Sequence, residues 1–430
     1  MKILLTGATG FLGSRLLREL LAAGHRVVCA GRRPPSIDDA RCGWLKLDFA
    51  STPAPVWRAH LQDIDAVVNL VGIFKESAGA SFDALHVQGP RALFEACASA
   101  GVKRVVQVSA LGANSRAETP YHLSKYEADR HLLSLPLDAG VAQPSLVFGP
   151  DGASAQRFLM LAALPVLPLP AGGRQRIQPI HVDDAAEALR EMIEAPAGRL
   201  RGRRLALVGP EPLTLRDYLL ALRSGMGLPA PVLKLSAPEP LMRLLAWLGD
   251  HQRNAMLDRA SWSMLERGNT TDAAPLAAVL ARQPRPVEEF IAPEQREAVR
   301  TLALLGWLLP LARLSLAVVW IATAVVSLFG FPVEQSYELL GRAGVPADLR
   351  PAALWGAALL DLALGLLTLF SFRQRRWLWL AQGALMLFYS AVIALKLPEF
   401  WLHPYGPMLK NLPMLALLAI LWRLEPRPRA

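Results

Sequence analysis

Short apolar runs alternate with amphipathic stretches through the first half of the chain. Runs at Ile3–Leu5, Val27–Ala30, Trp44–Leu47, Ala66–Leu70, Val105–Val108 and Val141–Val147 have the length and composition of strands. Helical spacing separates most of them. Leu16, Leu17, Leu20 and Leu21 mark a helix opening at Leu12, and Gly89–Ser99 and Pro120–Leu135 mark two more. Alternation of this kind implies parallel strands joined by crossovers, which predicts an α/β, doubly wound sheet. A strand and helix start follow at Gln178–Leu189, where Asp184 and Glu187 have the spacing of a capping box. Arg204–Val208 and then Thr214–Asp217 repeat the strand-then-capped-helix pattern.

The pattern changes twice after that. Residues 226–300 are rich in proline and charge, with amphipathic pieces such as Leu241–Leu248, and read as a connecting segment. They fit a position on a membrane surface or over the cleft of the preceding domain. Long apolar stretches then dominate. Leu314–Phe331 and Trp377–Leu395 carry no charge, Ala352–Phe372 is interrupted only by Asp361, and Leu412–Trp422 is a shorter fourth. A bilayer span takes about 20 apolar residues, so an all-α, four-helix transmembrane domain is expected over 301–430, after the α/β domain over 1–225.

Composition narrows the partners. Among 430 residues the formal net charge is +10, and arginine supplies most of the 46 basic residues. No Lys/Arg run interleaved with aromatics is present, so anionic lipid, not nucleic acid, is the expected partner. This arginine, alanine and leucine bias is that of a GC-rich bacterial genome. Cys29, Cys42 and Cys97 lack metal or disulfide spacing, which suits a reducing compartment and predicts no metal site. Met1-Lys2 leads into the first strand with no signal-peptide pattern. Arg373, Arg375 and Arg376 after the second span, and Arg423, Arg427 and Arg429 in the tail, point to the cytoplasm by the positive-inside rule. With four spans, the N-terminal domain is cytoplasmic too, on a bacterial inner membrane.

The candidate chemistry begins at Thr6-Gly-Ala-Thr-Gly-Phe-Leu-Gly13. Gly7 allows a tight turn, Gly10 lets the backbone approach a pyrophosphate, and Gly13 lets helix pack on strand. The backbone of Thr9, Phe11 and Leu12 supplies N–H groups at the helix start. Arg32 and Arg33 end the second strand where an acidic residue would hold a ribose 2′-hydroxyl. They favour a 2′-phosphate and hence NADP, with NAD the alternative. Asp48, beside Phe49, stands where adenine is held, and Val71 and Gly72 form a small turn over the cleft. Ser109 follows the fifth strand. Tyr121 and Lys125, four apart behind the cap Thr119 and Pro120, share a helix face. An ammonium near a phenol lowers the phenol pKa, so Tyr121 is expected to act as general acid/base and Ser109 to hold a substrate oxygen.

In order along the chain, the glycine turn, Asn69-Leu-Val-Gly72, Ser109, Tyr121-x-x-x-Lys125, Pro144–Pro150 and His181-Val-Asp-Asp184 resemble an extended or atypical short-chain dehydrogenase/reductase. They are similar to the bacterial branch related to the NADPH-binding accessory subunit of respiratory complex I. The C-terminal third, with His403–Pro413, resembles the DoxX-like membrane domain found fused to such proteins. The resemblance implies a bound nicotinamide dinucleotide and Tyr/Lys/Ser chemistry on a small-molecule substrate. The alternative it leaves is a non-catalytic NADPH-binding scaffold or assembly factor of a membrane protein complex, over which the intact Ser109/Tyr121/Lys125 set favours the enzyme. His86 and Gln143 depart from the asparagine and arginine common in extended members, which argues against a nucleotide-sugar epimerase or dehydratase. In the membrane part, Arg313 is placed to reach Asp361, and His403 and Tyr405 to join an interfacial belt.

Overall fold

The computed structural model describes residues 1–230, 233–251, 257–370, 376–402, 406 and 408–425, in two compact units, Met1–Ala303 and Leu304–Ala430. In the first unit seven strands form one sheet: β1 (Lys2–Thr6), β2 (Arg26–Gly31), β3 (Cys42–Lys46), β4 (Ala66–Asn69), β5 (Arg104–Val108), β6 (Asp138–Pro144) and β7 (Arg203–Leu207). Their spatial order is β3-β2-β1-β4-β5-β6-β7, every pair parallel. The strand order reverses between β1 and β4, and in open α/β sheets the crevice beyond that point takes the ligand.

Burial on both faces explains the apolar runs. Ile3 and Leu5 join a core with Leu16, Leu17, Leu20 and Leu21 of α1 (Phe11–Ala22). Leu4, Val67 and Val105 point the other way, to Leu93, Phe94 and Cys97 of α2 (Gly89–Ala100) and Ala128 and Leu132 of α3 (Pro120–Ser134). A strand covered on both sides has no polar face to alternate with. The run expected over Val141–Val147 breaks at Pro144, and Val147–Phe148 pairs instead with Ile180–His181.

Two expectations change. The helix α4 (Val182–Glu194) is capped by the His181 ring, which accepts from the Asp183 N–H. Asp184 therefore sits inside the first turn and is no cap. Its buried carboxylate accepts the Arg285 N–H at 2.7 Å and Arg282 at 2.8 Å. Those arginines belong to residues 226–300, which contribute α5 (Glu239–Asp250), α6 (Arg259–Arg267) and α7 (Ala274–Leu280) to the first unit. Leu276 and Leu280 of α7 enter the same core as α1 and α4.

The second unit contains most of α8 (Arg296–Val325), then α9 (Arg350–Leu369), α10 (Arg376–Lys396) and α11 (Asn411–Leu424). Three helical stretches, Pro293–Gly330, Ala347–Leu369 and Arg376–Lys396, are long and apolar enough to cross a membrane. The fourth has 14 residues, about 21 Å at the helical rise, shorter than a hydrocarbon core. Leu314, Val318, Leu359, Leu380 and Phe388 face outward, while Trp320, Leu364, Trp379 and Leu418 pack inside. Polar groups join the interior: Trp320 Nε1 donates to Gln382, and Gln382 donates to Thr368 Oγ1, both at 2.8 Å. Arg313 pairs with Glu425 at 2.9 Å and not with Asp361, because Glu425 at the end of α11 stands beside it. Asp361 is buried, and its Oδ1 has no hydrogen-bond partner among the described residues. Arg373, Arg375, His403, Tyr405, Arg427 and Arg429 lie outside the described residues.

Candidate nucleotide-binding and active site

The glycine turn is held by backbone contact. Gly7 has φ 74°, and a Cβ there would stand 2.8 Å from the Leu70 carbonyl carbon on the next strand's exit. At Gly13 a Cβ would come within 2.1 Å of Gly7 O, so α1 packs as close to the turn as a residue without a side chain permits. Gly10 caps α1 without a side-chain bond, and no acidic residue occupies the first turn. The first N–H groups of a helix lack intrahelical partners, and here nothing from a capping side chain takes their place. A dinucleotide pyrophosphate fits this donor set. Thr9 and Gly10 are exposed. Phe11 turns its ring to Gly149 and Gly152, and Leu12 packs against the first core, so both offer the cofactor backbone only.

Arg32 and Arg33 are exposed beyond β2, and neither forms an ion pair among the described residues. Asp48 is exposed and its Oδ1 accepts the Ala50 N–H at 3.3 Å, a turn of its own making. The Phe49 ring is buried against Trp57, and a Cβ at Gly89 would meet it at 2.7 Å. That side chain belongs to the second core, not the cleft.

Beneath the cleft runs a buried polar ladder that the sequence reading did not single out. Thr6 Oγ1 donates to Asn69 Oδ1 at 2.6 Å, and Asn69 Nδ2 donates to Gln107 Oε1 at 2.7 Å, linking the ends of β1, β4 and β5. Asn69 Oδ1 also accepts the Val71 N–H at 3.2 Å, which sets the lip at Val71 and Gly72. Polar residues ending otherwise apolar strands were the available signal.

The Tyr/Lys pair lies on α3, started by Thr119, whose hydroxyl accepts the His122 N–H, with Pro120 in the first helical position. Lys125 is 4% exposed, and its Nζ donates to Val71 O at 3.3 Å and Val108 O at 3.2 Å. It is so close to the lip that a Cβ at Gly72 would sit 2.8 Å from Nζ. Burial pulls the Lys125 ammonium down to about 8, partly offset by the Asp129 charge one turn on. The expected lowering of the Tyr121 phenol is absent. Lys125 points at carbonyls, and burial pushes the phenol above its ordinary value. Burial thus disfavours the phenolate of Tyr121 in this state.

Ser109 also departs from expectation. It is buried, and its hydroxyl donates to Asp129 Oδ2 at 2.7 Å, a carboxylate shared with Arg204 at 3.0 Å. The serine proton is thus committed inside the protein. Burial raises Asp129 to about 6 against the opposing pull of Ser109 and Arg204.

His86 was read only as a departure from a family pattern, yet it joins three segments. A π-helical turn, Asp83–Gln88, leads into α2 and carries it. Its Nδ1 lies 2.9 Å from Ser124 Oγ on α3, and its Nε2 accepts the Ile73 N–H at 3.0 Å. Burial, then the Lys125 charge, holds it down to about 3, so the ring is neutral. Around Tyr121 stand Phe74 (centroids 5.0 Å apart, stacked), Phe82, His86 and His122. Phe74 is 79% exposed and covers one face of the phenol. Its neighbour Lys75 pairs with Asp258, the cap of α6, at 3.3 Å. Arg267 at the other end of α6 reaches the Gly112 carbonyl. Residues 257–268 therefore wall the cleft, a placement the chain's local pattern left open.

A parallel sheet with its switch point at a glycine turn, and a buried Tyr/Lys helix beside it, form a Rossmann-like domain similar to those of NAD(P)-binding short-chain dehydrogenases/reductases. Residues 3–207 match the NAD dependent epimerase/dehydratase family, and residues 317–419 match the DoxX-like family, so the chain joins an epimerase-like domain to a DoxX-like membrane domain. The chain is similar to the 2-alkyl-3-oxoalkanoate reductase of Stenotrophomonas maltophilia, 28% identical over 296 residues (57% of this chain, 88% of the relative). It is similar to the ceramide reductase of Caulobacter vibrioides, 29% identical over 200 residues (45% and 61%). The rat mitochondrial NADH dehydrogenase (ubiquinone) 1 alpha subcomplex subunit 9 is 27% identical over 253 residues (56% and 64%). Alignment with the last two covers less than two thirds of their length. A solved nucleoside-diphosphate-sugar epimerase from Staphylococcus aureus shares the fold, with TM-score 0.55, 21% identity, and coverage of 68% of this chain and 99% of that one.

Proposed function

We propose that this chain is a membrane-anchored, NADPH-dependent reductase that converts a carbonyl on a lipid-borne small molecule to a hydroxyl. One observation carries the reading: Tyr121 and Lys125 are buried on one helix at the nucleotide cleft, and the Lys125 ammonium is fixed at its lip by Val71 O and Val108 O. A neutral phenol has a proton to give, and reduction needs a proton at the carbonyl oxygen. The nicotinamide, when bound, supplies hydride to the carbonyl carbon. Tyr121 gives its proton to the oxygen. Lys125, hydrogen-bonded to Val71 O and Val108 O, holds a ribose hydroxyl and stabilises the phenolate left behind. Arg32 and Arg33 take the 2′-phosphate. Ser109 acts as a positioning residue, tying the end of β5 to α3 through Asp129. The names of two relatives, 2-alkyl-3-oxoalkanoate reductase and ceramide reductase, support an apolar carbonyl compound.

The membrane is the bacterial inner membrane, with the Rossmann domain in the cytoplasm, where the cofactor is available. Two features favour a second reading, an NADPH-binding scaffold of a membrane complex: the Ser109 proton is occupied, and Phe74 stacks on Tyr121. Tyr121→Phe separates the two. In the full chain in nanodiscs, NADPH binding should hold within about twofold, while reduction of a panel of long-chain 3-oxo compounds falls at least a hundredfold. Unchanged turnover, or full rescue of a deletion strain's lipid profile by the variant, refutes the reductase.

A further inference from the structure

The helix α5 (Glu239–Asp250) is apolar on two faces. Met242, Ala246 and Gly249 are buried, and Met242 and Ala246 pack on Trp262 of α6. The other face carries Leu241, Leu244, Leu245, Trp247 and Leu248, each 43–52% exposed. The four leucines fall at i, i+3, i+4 and i+7, one continuous stripe. The strand Leu233–Ala237, which runs straight into α5, adds Leu233 and Leu235 at 55% and 58% exposure. Lys234 lies between them, and Arg243 pairs with Glu239 and Glu266 along the rim. The inner face already has its core, so the outer stripe is not a missing core contact.

We propose that this stripe lies on a phospholipid bilayer, immersed at the boundary of headgroups and acyl chains. Two observations choose lipid over another protein. The same chain enters the membrane at Pro293–Gly330, so a bilayer is always present at high effective concentration. A leucine stripe with a tryptophan, rimmed by charge, is also the pattern of helices that lie in an interface. The contact has a consequence for the cleft. α6, packed on α5, is capped by Asp258, which holds Lys75 in the loop that places Phe74 on Tyr121. The lipid-facing stripe and the cover of Tyr121 thus belong to one connected set of elements.

The test uses the full chain in phosphatidylethanolamine/phosphatidylglycerol vesicles, with Cys29, Cys42 and Cys97 replaced and one environment-sensitive fluorophore attached. The fluorophore sits at Leu244→Cys or, as control, at the exposed Glu211→Cys. Spin-labelled lipid should quench the 244 probe at least twofold more than the 211 probe, and iodide should do the reverse. Equal quenching at both sites overturns the proposal. So does self-quenching of the 244 probe that vanishes at one protein per vesicle without lipid quenching, which indicates a second copy. Leu244→Glu should abolish the lipid quenching of a probe at Leu248→Cys while leaving NADPH affinity unchanged. No arm reads turnover, so this inference and the reductase fail separately.

Discussion

Gly13→Ala tests the nucleotide cradle most directly. The added Cβ would stand 2.1 Å from Gly7 O, 2.9 Å from Gly7 C and 3.1 Å from Ala8 Cα, all backbone atoms that cannot rotate aside. Real Cβ atoms essentially never approach closer than 3.0 Å, so α1 or the turn must move about 0.9 Å. α1 is pinned by Leu16, Leu17, Leu20 and Leu21, each no more than 3% exposed, so moving it carries an overpacking cost of about 1–3 kcal/mol. The better helix propensity of alanine returns about 1 kcal/mol. The net destabilisation is about 1 kcal/mol, a loss of a few degrees in Tm. Cofactor binding suffers more, because the helix N–H groups leave the pyrophosphate. Losing one or two charge-assisted bonds of about 1.5–3 kcal/mol raises the NADPH Kd on the order of a hundredfold. Gly31→Ala is the control, since it lies at the end of β2 with nothing within 4 Å of its Cβ. Gly10→Ala, at 3.1 Å from Gly7 O, should fall between. Fluorescence titration with NADPH and thermal unfolding read both quantities. If Gly13→Ala binds and melts like Gly31→Ala, the close-packing argument is wrong.

Three further outcomes are expected. Asn69→Leu strips partners from Thr6 Oγ1, the Val71 N–H and Gln107 Oε1, costing on the order of 3 kcal/mol in denaturant unfolding; a loss under about 0.5 kcal/mol means water replaces them. Arg32→Ser with Arg33→Ser should weaken NADPH about tenfold or more and NADH less than twofold, and equal losses would defeat the 2′-phosphate assignment. His86, held down to about 3 by burial, binds fewer protons folded than unfolded, so its contribution to stability is complete above about pH 6.5 and is lost as pH falls towards 3. His86→Gln should flatten the fall in Tm between pH 6.5 and 4.5, and an unchanged slope would remove His86 as its cause.

Local pattern made the sheet and its helices legible, because strands buried on both faces must be apolar and crossovers must be amphipathic. The glycine turn, the Thr119 cap and the Tyr121/Lys125 spacing were legible for the same reason: each is a requirement a few residues long. Arg282 and Arg285 reach Asp184 across about a hundred residues, as does Lys75 to Asp258 across nearly two hundred, and no periodicity announces such meetings. The burial of Tyr121, the committed proton of Ser109 and the pairing of Arg313 with Glu425 were likewise settled by tertiary structure. Charge and hydrogen-bond partners depend on what burial brings within about 3 Å, whereas secondary structure depends on what the next few residues can do. The chain's own pattern therefore determined a nucleotide fold followed by membrane helices. Only folding decided how deeply Tyr121 is buried, what walls its cleft and which leucines remain outside.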